Sequence, residues 1–177
     1  GFSTLFEGSS AVSVELWFFQ PTTIAYAPLF AKYASNVQVG GYQFVLTANG
    51  YQQTFIANTS DSRLVASTST AVTANAWNHL VYVYDGSLSI TNGTGGRLQF
   101  FLNSTEVSCT YSFNTNYTTI PSTSTTGIKQ NRLGIVNFSD GSSAYATGNF
   151  AQFRVYGKAL TAAEVLENYN ATKTNFV

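Results

Sequence analysis

The chain has 177 residues, of which 44% are hydrophobic and 15% aromatic, and its eight basic and eight acidic residues give a formal net charge of zero. Charged residues make up only 9% of the chain, well below the roughly 25% of an ordinary soluble domain. This composition supplies the core of one domain but lacks the basic footprint that nucleic acids or anionic membranes require. Cys109 is the single cysteine, so no internal disulfide supports the fold.

The ends and length of the chain suggest one domain taken from a longer protein. Met is absent, so Gly1 is not expected to be a natural start, and residues 1–177 are predicted to form a single domain. No apolar run reaches the roughly 18 residues that a membrane-spanning helix needs, so direct membrane insertion is not expected.

Almost the whole chain is patterned as short strands separated by turns. In residues 12–19, the apolar side chains of Val12, Val14, Leu16 and Phe18 alternate with Ser13, Glu15, Trp17 and Phe19, which is typical of a strand. Residues 77–84 alternate in the same way, with Leu80, Tyr82 and Tyr84 on one face and Val81 and Val83 on the other. The predicted strands cover residues 12–19, 29–34, 42–47, 52–57, 63–67, 77–84, 97–102, 107–113, 131–138 and 149–156. Asn49-Gly50 and Asn103-Ser104 predict turns between neighbouring strands. Residues 114–126, rich in Thr, Ser and Asn, are predicted to form a loop of little fixed structure.

One helix is predicted, at the end of the chain. Gly157 ends the last strand, and a segment rich in Ala, Leu and Glu begins at Thr161. Thr161 and Glu164 have the spacing of a capping box, in which each side chain bonds the other residue's backbone N–H. A chain that is all β up to one closing helix is typical of a binding module.

Four segments, in this order, resemble the laminin G-like/concanavalin A-like jelly-roll family. They are residues 12–18 with an acid two positions before a Trp, residues 77–86 with Trp-Asn-His and Tyr-Asp-Gly, residues 98–103, and the closing residues 132–134 with 148–164. The resemblance implies an all-β, two-sheet antiparallel jelly-roll sandwich with one short C-terminal helix. The acidic pair that often precedes the family's final Arg is replaced here by Ala151-Gln152.

The family includes lectins, carbohydrate-binding modules, adhesion domains, receptor-binding parts of fibres and some glycosidases, so fold alone does not give function. Hydrolysis of a glycoside needs two facing carboxylates, and no predicted strand carries two acids at alternate positions. Glu164 and Glu167 share a helix face, where a cap and a solvated end explain them. The lone His79 lacks partners for a zinc or nucleophile system, so a hydrogen-bonded structural role is predicted.

We therefore expect a non-catalytic recognition module of an extracellular, cell-surface or virion-surface protein, with a glycan or a cell-surface receptor as partner. Two alternatives remain open. One is a structural or oligomerisation domain of a surface fibre, with oligomers formed through the parent protein. The other is a glycosidase or polysaccharide lyase.

The candidate ligand site is one end of the predicted sandwich. If successive strands reverse direction, loops 36–41, 59–62, 85–96 and 114–130 share that end, and Asn, Asp and aromatic groups in loops suit sugars. The candidate ligand-binding residues are Asn36, Asn58, Asp61, Asp85, Asn92, Asn116 and Tyr117. Ca²⁺ is left open as a cofactor at Asp61, Asp85 or Asp140, since it prefers loop oxygens. The alternative for each Asp is a turn in which the side chain bonds its own backbone.

Overall fold

The computed structural model describes residues 5–22, 26–32, 41–47, 52–57, 62–121, 131–137 and 143–176, without the side chains of 52–57, 136 and 137. These ranges contain thirteen strands, one α-helix and a closing 3₁₀ turn, Lys173–Asn175. The strands are β1 Ala11–Gln20, β2 Tyr26–Lys32, β3 Gly41–Thr47, β4 Gln52–Ala57, β5 Arg63–Thr68, β6 Ala76–Asp85, β7 Leu98–Leu102, β8 Thr105–Val107, β9 Thr110–Asn114, β10 Arg132–Leu133, β11 Ile135–Asn137, β12 Ser143–Tyr145 and β13 Asn149–Tyr156, and the helix is α1 Ala162–Thr172.

Two antiparallel sheets form the sandwich. Sheet I has the order β13-β1-β6-β7-β8, and sheet II has the order β10-β2-β3-β4-β5-β9. Strands β11 and β12 form a separate two-stranded ladder. The predicted jelly-roll sandwich with one short C-terminal helix is confirmed.

The core lies between the sheets and is rich in aromatic rings. Alternate residues of β1, such as Leu16 and Phe18, and alternate residues of β3, such as Phe44, are buried in one cluster. Across the two sheets, the rings of Phe44 and Tyr82 have centroids 4.8 Å apart. Because successive side chains of a strand point to opposite faces, the intervening residues lie on the outer faces of the sandwich.

The end of the chain covers the outer face of sheet I. Leu160 and Val165 pack against Val81, Val83 and Phe101 in a second buried cluster. The predicted capping box begins the helix: Glu164 N–H donates to Thr161 Oγ1 at 3.3 Å, and Thr161 N–H donates to Glu164 Oε2 at 2.8 Å. In the part of the chain that the structure describes, no helix has the length and hydropathy needed to cross a lipid bilayer.

The turn at Asn103-Ser104 is confirmed. Both residues have positive φ angles, 49° and 71°, as a two-residue hairpin turn between β7 and β8 requires. Asn103 Oδ1 also accepts from the backbone N–H of His79 at 2.9 Å, which ties the turn to β6. Strands β3 and β4 pair as predicted, but Asn49-Gly50 lies outside the described residues.

Two segments predicted as single strands are divided. The prediction for residues 107–113 is wrong because β8 belongs to sheet I and β9 to sheet II. Cys109 sits between them, exchanging backbone hydrogen bonds with Gly93 at 2.8 and 2.9 Å. Residues 131–138 are broken at Gly134, whose φ of +73° separates β10 from β11. Strand β12 lies between residues 138 and 149, where the sequence predicted no strand.

Part of the loop predicted to have little fixed structure is held by specific bonds. The backbone N–H of Thr115 donates to Arg63 O at 2.8 Å, and that of Ile120 donates to Ser9 O at 2.9 Å. Ile120 is also buried in the core. Residues 115–121 therefore form a loop as predicted, but one with fixed contacts, and Asn114 belongs to β9. Residues 122–126 lie outside the described part.

Candidate functional site

Four of the predicted ligand-binding residues lie at one end of the sandwich. Asp85 ends β6, Asn92 follows it in the next loop, and Asn116 and Tyr117 follow β9. Arg97, only 5% exposed, joins them: its guanidinium donates to Asn116 Oδ1, to Tyr117 O at 2.6 Å and to the backbone O of residue 88 at 2.9 Å. The other predicted positions, Asn36, Asn58, Asp61 and Asp140, lie outside the described residues.

The described loop residues engage one another. Asp85 Oδ1 accepts from the N–H of Ser87 at 2.9 Å, the turn bonding expected as its alternative role. Asn92 Oδ1 accepts from the N–H of Tyr111 at 2.9 Å. Tyr117 donates its hydroxyl to the backbone O of Ser62 at 2.8 Å. This loop end is thus a hydrogen-bonded cap across the two sheets, and its residues' roles as ligand contacts stay predictions.

Metal binding has no cluster of acids to support it in the described ranges. No group of three or more His, Cys, Asp or Glu that could hold an ion occurs there. Asp85 brings one carboxylate, already engaged by Ser87. Calcium at Asp61 or Asp140 falls outside the described ranges and stays a prediction.

A buried polar cluster lies on the outer face of sheet I, beneath α1. Glu15 Oε1 is 3.0 Å from His79 Nε2 and 3.1 Å from Arg154 Nη1. Glu15 Oε2 accepts from the Tyr156 hydroxyl at 2.6 Å and from Asn168 Nδ2 at 2.9 Å. These four donors surround a carboxylate that is fully buried, and Asn168 brings the helix into the same network. The hydrogen-bonded structural role expected for His79 fits this position.

The charge state of Glu15 follows from these contacts. Burial raises the pKa of Glu15, but the hydrogen bonds from His79 and Tyr156 and the charge of Arg154 outweigh it and lower the pKa below 4.5. The pKa of Tyr156 is raised to about 12, first by burial and then by its bond to the carboxylate. Glu15 is therefore an anion at neutral pH and holds the helix to the sheet.

The outer face of sheet II is different, because its polar and aromatic side chains are only half-buried. Gln43 and Thr47 of β3 point away from the core residues that alternate with them. Tyr26 donates its hydroxyl to Gln43 Oε1 at 2.8 Å. In the register, Tyr26 is opposite Thr47 and Gln43 is two residues from Val45, so the bonded pair lies over Val45, which is fully buried.

A stacked pair occupies the β5–β9 side of the same face. Phe113 is directly opposite Val65 in the register and is 40% exposed. The guanidinium carbon of Arg63 lies 3.6 Å from the centre of the Phe113 ring. Arg132 of β10 is opposite Ala31, whose other neighbour is Gln43, so Arg132 belongs to this face as well. The face therefore offers an aromatic ring, an amide and two guanidinium groups.

A cavity of about 300 Å³ opens where β13 of sheet I meets β10 of sheet II. Its lining is apolar apart from one amide: Leu5, Phe30, Asn131, Leu133, Phe153 and Val155. That amide, of Asn131, already accepts a hydrogen bond from the Tyr42 hydroxyl. The cavity offers little that a sugar hydroxyl could bond.

The ligand contacts predicted from the sequence all lie in predicted loops and do not include Gln43, Arg63 or Phe113 of the sheet II face. These residues lie inside predicted strands, on the face opposite the apolar one. The signal was available: in 42–47 and 63–67, polar residues alternate with core residues.

A family model described as the concanavalin A-like lectin/glucanases superfamily matches residues 3–166. The chain belongs to this superfamily. The resemblance stated from the sequence is confirmed. The comparison with curated proteins found no match.

Solved structures share the fold of this superfamily member at low sequence identity. A Ruminococcus gnavus sialidase CBM40 bound to alpha2,3 sialyllactose has a TM-score of 0.71 and 16% identity, covering 94% of this chain and 85% of that one. Domain 4 of an extracellular arabinanase from Geobacillus stearothermophilus, in complex with arabinotriose, has a TM-score of 0.57 and 20% identity, covering 90% and 66%. A heptameric SAP-like pentraxin from Limulus polyphemus has a TM-score of 0.56 and 15% identity, covering 91% and 70%.

Proposed function

We propose that this chain is a non-catalytic glycan-binding module whose ligand lies on the outer face of sheet II. The observation that carries the proposal is the half-buried surface formed by Tyr26, Gln43, Arg63 and Phe113. Sugars pack their C–H faces on aromatic rings and bond their hydroxyls to amide and guanidinium groups. Two similarly folded solved structures contain sialyllactose and arabinotriose, which supports the same ligand class here.

Two of the described carboxylates, Glu15 and Glu164, support a role without catalysis. A glycosidase needs an acid with a raised pKa facing a second carboxylate. Glu15 has a lowered pKa and is enclosed beneath the helix. The pKa of Glu164 is lowered to about 2 by its bonds to Lys158 and Thr161. Neither group has the environment of a general acid.

In this proposal the module belongs to a secreted or surface-displayed protein of a cell or a virion. Its role would be adhesion or host attachment through a glycan or a glycosylated cell-surface receptor. Only 9% of the residues are charged, so the polar surface consists mainly of Ser, Thr, Asn and Gln. An uncharged polar surface of this kind is common in extracellular and cell-surface proteins, which supports such a location.

A glycan array tests the function, and one variant tests the face. We expect the purified chain to bind at least one glycan, and Phe113→Ala to weaken that binding about tenfold, since loss of an aromatic contact of about 1.4 kcal/mol has that effect. The matched control is Leu166→Ala on α1, since Leu166 is 48% exposed, close to the 40% of Phe113. It should leave binding unchanged.

The outcomes separate function from location. No binding to any glycan would contradict the function, and oligomers in light scattering would then favour a structural domain of a fibre. Glycan binding that is unaffected by Phe113→Ala would contradict the location of the site on sheet II but not the glycan-binding function.

A further inference from the structure

Charge is distributed unevenly between the two sheets, although the chain as a whole is neutral. The six strands of sheet II contain no acidic residue and three basic ones: Lys32, Arg63 and Arg132. The acids of the described strands and helix lie on the side of sheet I: Glu15, Asp85, Glu106, Glu164 and Glu167. The described strands of sheet II therefore carry only positive charge, although the chain as a whole has no net charge.

Two of these basic residues have no acidic partner in the described part of the chain. The ion pairs of Lys and Arg found there are Lys32–Glu7, Arg154–Glu15 and Lys158–Glu164. Arg63 and Arg132 take part in none of them. Both lie on the outer face of sheet II, whereas Lys32 is buried against Glu7. The two unpaired guanidinium groups therefore share one surface.

The Arg63 guanidinium is held in a fixed plane. It lies 3.6 Å from the centre of the Phe113 ring, and its Nε is buried with no hydrogen-bond partner among the described residues, so the two Nη groups are the ones left to bond a ligand. A guanidinium held by stacking loses little freedom when it bonds a ligand, and its two parallel N–H groups match the two oxygens of a carboxylate. Arg63 is thus oriented for an anion that the described residues do not supply.

Arg132 lies at the other side of the same face. Strands β10 and β5 are four positions apart in sheet II, which separates their backbones by about 19 Å. The bonded pair Tyr26–Gln43 lies on the strands between them. One small anion cannot contact both arginines at this spacing, but an extended oligosaccharide can.

We infer that the outer face of sheet II binds a glycan that carries a carboxylate, with Arg63 pairing with that carboxylate. The inference rests on the proposed glycan-binding function and names its ligand class. Tyr26 and Gln43 contact neighbouring sugars, and Arg132 supplies longer-range attraction. A neutral oligosaccharide of the same shape uses the same face without the contribution of Arg63.

The test compares ligands that differ in charge alone. Isothermal titration uses trigalacturonate and 3′-sialyllactose, each beside its own carboxyl methyl ester. We expect at least one acidic ligand to bind about tenfold or more tightly than its neutral counterpart, as a hydrogen-bonded charge pair gives. This preference should weaken at high salt, because added ions screen exposed charges.

Variants locate the preference. Arg63→Gln should abolish the difference between acidic and neutral ligands, and Arg63→Lys should restore only part of it because Lys lacks the planar fork. Arg132→Gln should reduce the difference less than Arg63→Gln. Lys173→Gln is the control, since Lys173 is an exposed cation on the helix side. Circular dichroism and thermal unfolding confirm that each variant folds.

Three outcomes overturn the inference. In the first, the glycan array succeeds but no acidic ligand exceeds its neutral counterpart, which leaves the glycan-binding function intact. In the second, the preference persists in both Arg63 variants. In the third, no glycan binds at all, and the proposed function falls with the inference.

Discussion

The outer faces of the two sheets come from the same strand alternation but end in opposite states. On sheet I, Glu15, Trp17 and His79 are completely buried beneath the end of the chain. On sheet II, Gln43 and Arg63 are half-buried and Phe113 is 40% exposed. The comparison shows that polar residues facing outward from a sandwich do not by themselves mark a binding surface. Such residues can contact a ligand only where no other segment of the chain covers them.

The closed face must satisfy the charge that it buries. A buried carboxylate is costly unless donors surround it, and Glu15 has four. The open face has no such requirement, because water reaches part of its side chains. Substitutions on sheet I should therefore affect mainly stability, and those on sheet II mainly binding.

The largest effect is expected for Glu15→Ala. Removing the carboxylate leaves His79 and Tyr156 without their partner in a buried site and leaves Arg154 without its ion pair. The free energy of unfolding should fall by about 3 kcal/mol or more, because two donors lose their acceptor at once and each such loss costs about 1–3 kcal/mol. Urea unfolding measures it. The control Glu167→Ala removes an exposed carboxylate from the helix that covers Glu15 and should cost less than about 0.5 kcal/mol. Similar values for the two variants would contradict the assigned role of Glu15.

The same carboxylate should shape the stability at acid pH. Its pKa in the folded protein is below 4.5, so its contribution is complete above that pH and is lost as the pH falls through the folded value. The difference in unfolding free energy between the wild type and Glu15→Gln should thus be largest above pH 4.5 and shrink in more acid solution. A difference that grows on acidification would show that the folded pKa is raised instead.

A smaller effect is expected at the second attachment of the helix. Trp17 Nε1 donates to Thr172 Oγ1 at 3.0 Å, and both side chains are buried. Thr172→Val keeps the shape but leaves the indole N–H without an acceptor, which should cost about 1–3 kcal/mol in chemical denaturation. Thr172→Ser keeps the hydroxyl and is the control. Equal stability of the Val and Ser variants would mean that the bond contributes nothing.

Local rules in the sequence predicted the elements that depend on neighbouring residues. The capping box of Thr161 and Glu164 and the turn at Asn103-Ser104 are both decided within a few positions of the chain, and both are present. The order of the motifs was enough for the sandwich as a whole. The prediction of one strand over residues 107–113 was wrong because the alternation of side chains shows that a segment is extended but does not show which sheet it joins. There the chain passes from sheet I to sheet II at Cys109, whose backbone pairs with that of Gly93, a residue distant in sequence.

The candidate site could be predicted less well, for a related reason. Asn116 and Tyr117 are polar or aromatic loop residues, yet they meet Arg97, which comes about twenty residues earlier, and are engaged by it. Arg63 and Phe113 are fifty positions apart in sequence and become neighbours only through the pairing of β5 and β9. The sequence indicates which residue types are able to contact a sugar. The pairing register of the strands determines which of these residues become neighbours and remain accessible.

The smallest effect should come from one hydroxyl on the open face, and a matched variant makes it informative. Tyr26→Phe removes the bond to Gln43, a neutral pair on a half-buried surface, and should cost about 0.5–1 kcal/mol. Tyr156→Phe removes the same group from sheet I, where it donates to the charged Glu15 at 2.6 Å, and should cost about 1.5–3 kcal/mol. Both values come from urea unfolding of otherwise identical chains. If Tyr26→Phe costs as much as Tyr156→Phe, the outer face of sheet II is as closed as that of sheet I and cannot serve as the ligand surface proposed for it.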